Sequence, residues 1–143
     1  MAFICEKPSK KPILTLQRGA LQGAIETRTL IAFEEHYRAY REFIGSAIQS
    51  HRPHVVVAVA GLDKLKDEVT RFDPHLVICS QPNTLESNGR PAWFELPPDP
   101  DRFAKLCFDG EHSEKANPAL EELLRVVDDT ERLIRTKPGS GDC

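Results

Sequence analysis

The sequence predicts an α/β fold built on a parallel sheet, and three observations predict it. Between Arg28 and Ser80, short apolar runs alternate with stretches of helical spacing. The runs at His54–Ala60 and His75–Cys79 lack polar alternation, which suits strands covered on both faces. Strands that alternate with helices imply right-handed crossovers, and hence parallel neighbours.

Each element follows from local chemistry. Thr29-Leu-Ile-Ala-Phe33 is the first strand and stops at two acids, Glu34 and Glu35. From Tyr37 the spacing becomes helical, with Tyr37, Tyr40, Ile44, Ala47 and Ile48 on one face. The second strand, His54–Ala60, breaks at Gly61. Leu62, Leu65, Val69 and Phe72 then form a second helical stripe, which Pro74 closes. His75–Cys79 is the third strand and ends at Ser80. Gln81–Pro91 is dense in Pro, Asn and Gly and reads as a long loop bordering Ser80.

Two further strands, Ala92–Leu96 and Phe103–Phe108, are separated only by Pro97–Arg102. That linker is too short for a parallel crossover, so a β-hairpin is the consistent solution. A short helix opening at Asp99-Pro100 and carrying Phe103, Leu106 and Cys107 is the competing reading. Asn117-Pro118 has the chemistry of an N-cap followed by a first-turn proline. Leu120, Leu123, Leu124, Val127 and Ile134 form the stripe of this last helix, which ends near Arg135. Residues 28–135 form the expected domain. Residues 1–27, with Lys7, Lys10 and Lys11 beside Pro8 and Pro12, read as a partly ordered extension, and residues 136–143 as a disordered tail.

Composition narrows the function classes. A hydrophobic content of 40% with 29% charged residues is that of a soluble globular chain, and 143 residues suffice for one domain with a real core. A net charge of -3 argues against a nucleic-acid-binding surface. No apolar run approaches the roughly 20 residues that span a bilayer, and Phe3-Ile-Cys5 is too short for a signal-peptide core. A cytoplasmic location is expected. Cys5, Cys79, Cys107 and Cys143 form no CxxC pair, a pattern that favours free thiols over disulfides or a zinc site. Cys79 lies at the carboxyl end of a central strand, where it reads as a small buried hydrophobe. Glu34, Glu35 and His36 offer cation ligands but lack a third acid at Ser80, so no metal is assigned. No phosphate loop, nucleophile elbow or cofactor motif is present, and no enzyme activity is expected.

The order of elements resembles the receiver domain of two-component response regulators, and specific residues carry the likeness. They are Phe33-Glu-Glu-His36 at the end of the first strand, Gly61 at the start of the second helix, and Phe72-Asp-Pro-His75 leading into Leu76-Val-Ile-Cys79-Ser80. The resemblance covers Arg28 to Ser80. It implies a flavodoxin-like three-layer sandwich with parallel strands in the order 2-1-3, to which the late hairpin and the C-terminal helix are added. In that family the third strand ends in the phosphoacceptor Asp. Here Ser80 stands in its place, a poor nucleophile without an adjacent base and no source of charge for Mg²⁺. No later strand ends in the family's Thr or Ser, and the one downstream Lys-Pro, Lys137-Pro138, lies in the tail. The resemblance therefore implies a regulatory module without phosphotransfer, working through protein partners. Its binding edge would be the degenerate cleft of Glu34, Glu35, Ser80, Gln81 and Asn83. The alternative is a small-molecule or metal-binding sensor that uses the same cleft.

Overall fold

Leu30, Ile31, Ala32 and Phe33 have no solvent exposure, and the strand they form, β1 (Arg28–Phe33), is central to the fold. The computed structural model describes residues 26–85, 89–139 and 141–143, so the expected extension falls almost wholly outside the described residues. After β1 come α1 (Arg38–His51), β2 (Val56–Gly61), α2 (Leu65–Phe72) and β3 (Leu76–Cys79). The second half adds β4 (Ala92–Glu95), β5 (Ala104–Phe108), β6 (Glu111–Lys115) and α3 (Leu120–Thr136). Single 3₁₀ turns, Glu35–Tyr37 and Leu62–Lys64, lead into the first two helices.

The strands make one mixed sheet in the order β2-β1-β3-β4-β5-β6. The expected 2-1-3 arrangement is present, with β1 parallel to both β2 and β3. Alternate residues of β1 to β5 serve two apolar clusters. Ile31, Phe33, Ile78 and Phe94 pack with Ile44 and Ile48 of α1 and with Leu123 and Val127 of α3. Leu30, Ala32, Val77 and Trp93 pack with Leu65 and Val69 of α2. Burial on both faces is why the strands lack polar alternation, and each fully buried Phe or Leu contributes roughly 1.5–3 kcal/mol.

The face that α1 buries differs from the stripe read in the sequence. Arg41, Ile44, Gly45 and Ile48 point inward, whereas Tyr37 and Tyr40 are 38% and 36% exposed. Two contacts set this rotation. Arg41 Nη1 donates to the Phe33 carbonyl at 2.9 Å. Gly45 lets the helix approach β2, since a Cβ there would lie 2.7 Å from Val59 Cγ2. Tyr40 still lays its ring edge-on to Phe33, with centroids 5.2 Å apart, and partial burial raises the pKa of its hydroxyl.

The second half corrects the sequence reading in several places. The hairpin forms as expected, with Trp93 opposite Cys107 and Phe94 opposite Leu106, and the competing helix does not. However, β4 also pairs in parallel with β3, so the parallel part has four strands rather than three. A sixth strand, β6, gives no hydropathy signal because its residues, Glu-His-Ser-Glu-Lys, are polar and mostly exposed at a sheet edge. What marks it in the sequence is the Asp109-Gly110 pair before it. Both residues have positive φ, 53° and 83°, as a two-residue type I′ hairpin turn requires.

The last helix begins later than Asn117-Pro118 suggests. Asn117 sits in the left-handed region at φ 45°, and Ala119 is the N-cap. Glu122 reaches back instead, its Oε1 accepting from the Ala119 amide at 3.1 Å. Arg52 clamps α1 to α3 through both Asp128 oxygens, at 2.7 and 2.8 Å. His54 Nε2 lies 2.9 Å from Glu131 Oε1 beside that clamp.

The cysteines depart furthest from expectation. Cys107 and Cys143 form a disulfide, while Cys79 is free and buried. Their 36-residue separation carries no motif, and only the fold brings them together. Among the described residues no helix is long and apolar enough to cross a membrane.

Candidate functional site at the carboxyl edge of the parallel strands

Because β1 and β3 are parallel with Ala32 opposite Cys79, the residues that follow them emerge on one edge of the sheet. Ser80 Oγ donates to Glu34 Oε1 at 2.9 Å. Glu35 turns into the 3₁₀ segment and accepts from Arg41 Nη2 at 3.1 Å, with Arg38 at 3.7 Å on its other side. Glu34, Glu35 and Ser80 are thus gathered at one edge.

Arg41, which the sequence reading passed over, organises the site. It is 8% exposed and spans from the Phe33 carbonyl to Glu35. Gly61 ends β2 beside it; a Cβ at Gly61 would lie 3.6 Å from Arg41 Nη1 and 2.6 Å from Asp63 Oδ1. Its signal in the sequence is periodicity, since Arg41 falls three residues before Ile44 and seven before Ile48 on the buried stripe. A charged residue at a buried helical position needs a partner, and the acids after β1 were the nearest candidates.

Chemically, this edge is closed on itself. One carboxylate accepts the Ser80 hydroxyl and the other is engaged by a guanidinium. Arg41 supplies internally the positive charge that a bound cation would otherwise provide. Among the described residues no group of three or more His, Cys, Asp and Glu side chains is placed to hold a metal ion. The Ser80 hydroxyl donates to a carboxylate directly, with no imidazole between them. Cys79 adds no thiolate, because burial pushes its thiol up to about 12.

Gln81 and Asn83 take other roles. The Gln81 carbonyl accepts from the Trp93 indole Nε1 at 2.9 Å and from Cys79 Sγ at 3.1 Å, so its backbone ties the loop to the sheet. Asn83 Oδ1 accepts from the Leu85 amide at 3.1 Å, and its Nδ2 donates to the Cys143 carbonyl at 2.6 Å. Asn83 therefore lines a separate groove of about 350 Å³, with Trp93, Glu95, Lys105, His112 and the disulfide.

The opposite edge carries a structural cluster. Asp73 caps α2 at φ 50°, and its carboxylate is held below the usual range, chiefly by the Arg90 hydrogen bond. Arg28 lies 3.5 Å from the same carboxylate. The Arg28 amide donates to His75 Nδ1 at 3.0 Å, and burial pushes the His75 ring down to about 4. Asp73 precedes β3 whereas Ser80 follows it, so the two lie at opposite ends of that strand. No family model, curated protein or solved structure matches this chain.

Proposed function

We propose that this chain is a non-catalytic signalling module, a receiver-like domain in a flavodoxin-like arrangement that works through protein contacts without Asp phosphorylation. The observation that carries the reading is the internally satisfied acidic edge. Ser80 donates to Glu34 and Arg41 holds Glu35, where a phosphotransfer site would need a free acid and a metal. The β1–α1–β2–α2–β3 order with strands 2-1-3 supports the same reading. Charge and hydrogen bonds fix this edge in one arrangement, and a partner can read that surface without a chemical step. Exposed Tyr37 lies beside the acids and adds aromatic contact area.

Two measurements test this. Incubation with acetyl phosphate and Mg²⁺ leaves the intact mass unchanged; a gain of one phosphoryl group would overturn the non-catalytic reading. Glu34→Lys reverses the charge of an exposed residue at the edge. It should abolish recovery of a partner that the wild type captures from native lysate, with melting curves as the control for folding. Equal recovery by both proteins places the interface elsewhere.

A second reading, a small-molecule sensor, rests on the groove beside Trp93. There Glu95, Lys105 and His112 have no ion pair or hydrogen-bonding side-chain partner among the described residues. Loss of that function in Lys105→Ala, with the Glu34→Lys variant unaffected, would favour it.

A further inference from the structure

The groove beside Trp93 has one wall made by a covalent bond. Residues 141–143 lie on the α2 side of the sheet, although α3 packs on the other side. They are held by the Cys107–Cys143 disulfide and by few other contacts. The Cys143 amide donates to the Arg90 carbonyl at 2.9 Å, Asn83 Nδ2 donates to the Cys143 carbonyl at 2.6 Å, and the Gly110 amide approaches Cys143 Sγ at 3.5 Å. Beneath them, Trp93 is 3% and Cys107 8% exposed, and Leu85 and Cys143 pack against the cluster that contains both. Trp93 is the only tryptophan of the chain and sits directly opposite Cys107 in the β4–β5 register.

From this placement we infer that Cys107–Cys143 is a thiol–disulfide exchange site, and that its reduction by a dithiol releases residues 141–143 and bares the Trp93 face of the sheet. Cys143 is the more exposed residue of the pair, so its sulfur receives the attack. The thiolate of the dithiol forms a mixed disulfide with Cys143 Sγ as the Cys107–Cys143 bond breaks. Cys107 leaves as a thiolate and takes up a proton. The second thiol of the donor then displaces Cys143, which is protonated in turn. The donor ends as its own disulfide, two electrons and two protons having passed to this chain. In a reducing compartment a bond of this kind is transient and reports redox state rather than stapling the fold. The hydrogen bonds of the Cys143 backbone with Arg90 and Asn83, and the long Sγ contacts with Gly110 and Pro91, then have to hold the segment without a covalent link. The groove loses the Cys143 wall, and Trp93 and Cys107 gain solvent.

The experiment uses the full chain, oxidised with diamide or reduced with excess dithiothreitol. Native alkylation and intact mass should show two more labelled thiols in the reduced protein. Trp93 emission should rise and shift to the red, because a neighbouring disulfide and burial are both removed. Hydrogen exchange should accelerate at residues 104–108 and 141–143 and stay unchanged in β1 and β3. Cys143→Ser should match the reduced wild type and ignore dithiothreitol, with Cys107→Ser as the second variant. The inference is overturned if the oxidised protein holds no Cys107–Cys143 bond, or if the bond opens with emission and exchange unmoved. It also fails if neither serine variant folds, because the bond would then be a structural staple.

Discussion

Replacing Ser80 by Asp gives the sharpest check on the carboxyl edge, because it places a second acid beside one that is already present. Ser80 Oγ lies 2.9 Å from Glu34 Oε1, so an Asp side chain there brings two carboxylates to roughly 4 Å between charge centres. Coulomb's law gives about 1 kcal/mol of repulsion in bulk water and about 4 kcal/mol at an effective dielectric constant of 20. Glu34 is exposed and Ser80 only partly buried, so the lower half of that range applies, about 1–2 kcal/mol. The lost Ser80–Glu34 hydrogen bond adds about 0.5–1.5 kcal/mol. Ser80→Ala removes the bond without adding charge, so the difference between the two variants isolates the repulsion.

At about 3–5 °C per kcal/mol for a domain of this size, Ser80→Asp should melt about 3–10 °C below Ser80→Ala at pH 7 and low salt. Mg²⁺ at a tenfold excess over its dissociation constant should recover about 1.4 kcal/mol of the deficit. The assay is a thermal melt of wild type and both variants at pH 7, with and without MgCl₂. Coincident melts of Ser80→Asp and Ser80→Ala at pH 7 would refute the placement of Ser80 against Glu34.

Three further outcomes are expected. Arg41→Ala strands the Phe33 carbonyl and frees Glu35, and should cost about 1–3 kcal/mol by urea denaturation; Arg41→Lys, able to reach one of the two acceptors, should cost less. Gly45→Ala sets a helix-propensity gain of about 1 kcal/mol against a clash with Val59 Cγ2 worth about 1–3 kcal/mol. It should therefore destabilise the wild type but stabilise the Val59→Ala background, and a double-mutant cycle without that change of sign would remove the close approach of α1 to β2. His75 is held neutral, its pKa lowered from 6.5 to about 4, mainly by burial. The unfolded state therefore binds more protons between those values, so the His75 contribution is complete above pH 6.5 and disappears as pH falls through about 4. Urea midpoints from pH 7 to pH 4 should fall more steeply for wild type than for His75→Gln, and parallel curves would contradict it.

The first half of the fold was legible in the sequence because its signals are local. Strands buried on both faces must be apolar throughout, so Leu30–Phe33 and Leu76–Cys79 declared themselves, and Gly61 and Pro74 punctuated the helices between them. Parallel pairing then followed from connectivity alone, and with it the shared edge of Glu34 and Ser80. The late hairpin was legible for the same reason, since Pro97–Arg102 cannot span a crossover.

What remained undetermined depends on partners distant in sequence. Arg41 sits on the buried stripe, and only the fold shows the Phe33 carbonyl and Glu35 waiting for it. β6 is a polar edge strand, so hydropathy gives it no strand signal, and its existence rests on pairing with β5 after the Asp109-Gly110 turn. The beginning of α3 moved because the Glu122 carboxylate caps Ala119 while Asn117 is spent on a left-handed turn. The disulfide is the extreme case. Nothing near Cys107 or Cys143 marks them as a pair, because what joins them is residues 141–143 lying across the α2 face of the sheet while α3 packs on the other, a path set by packing rather than by any local property of the chain.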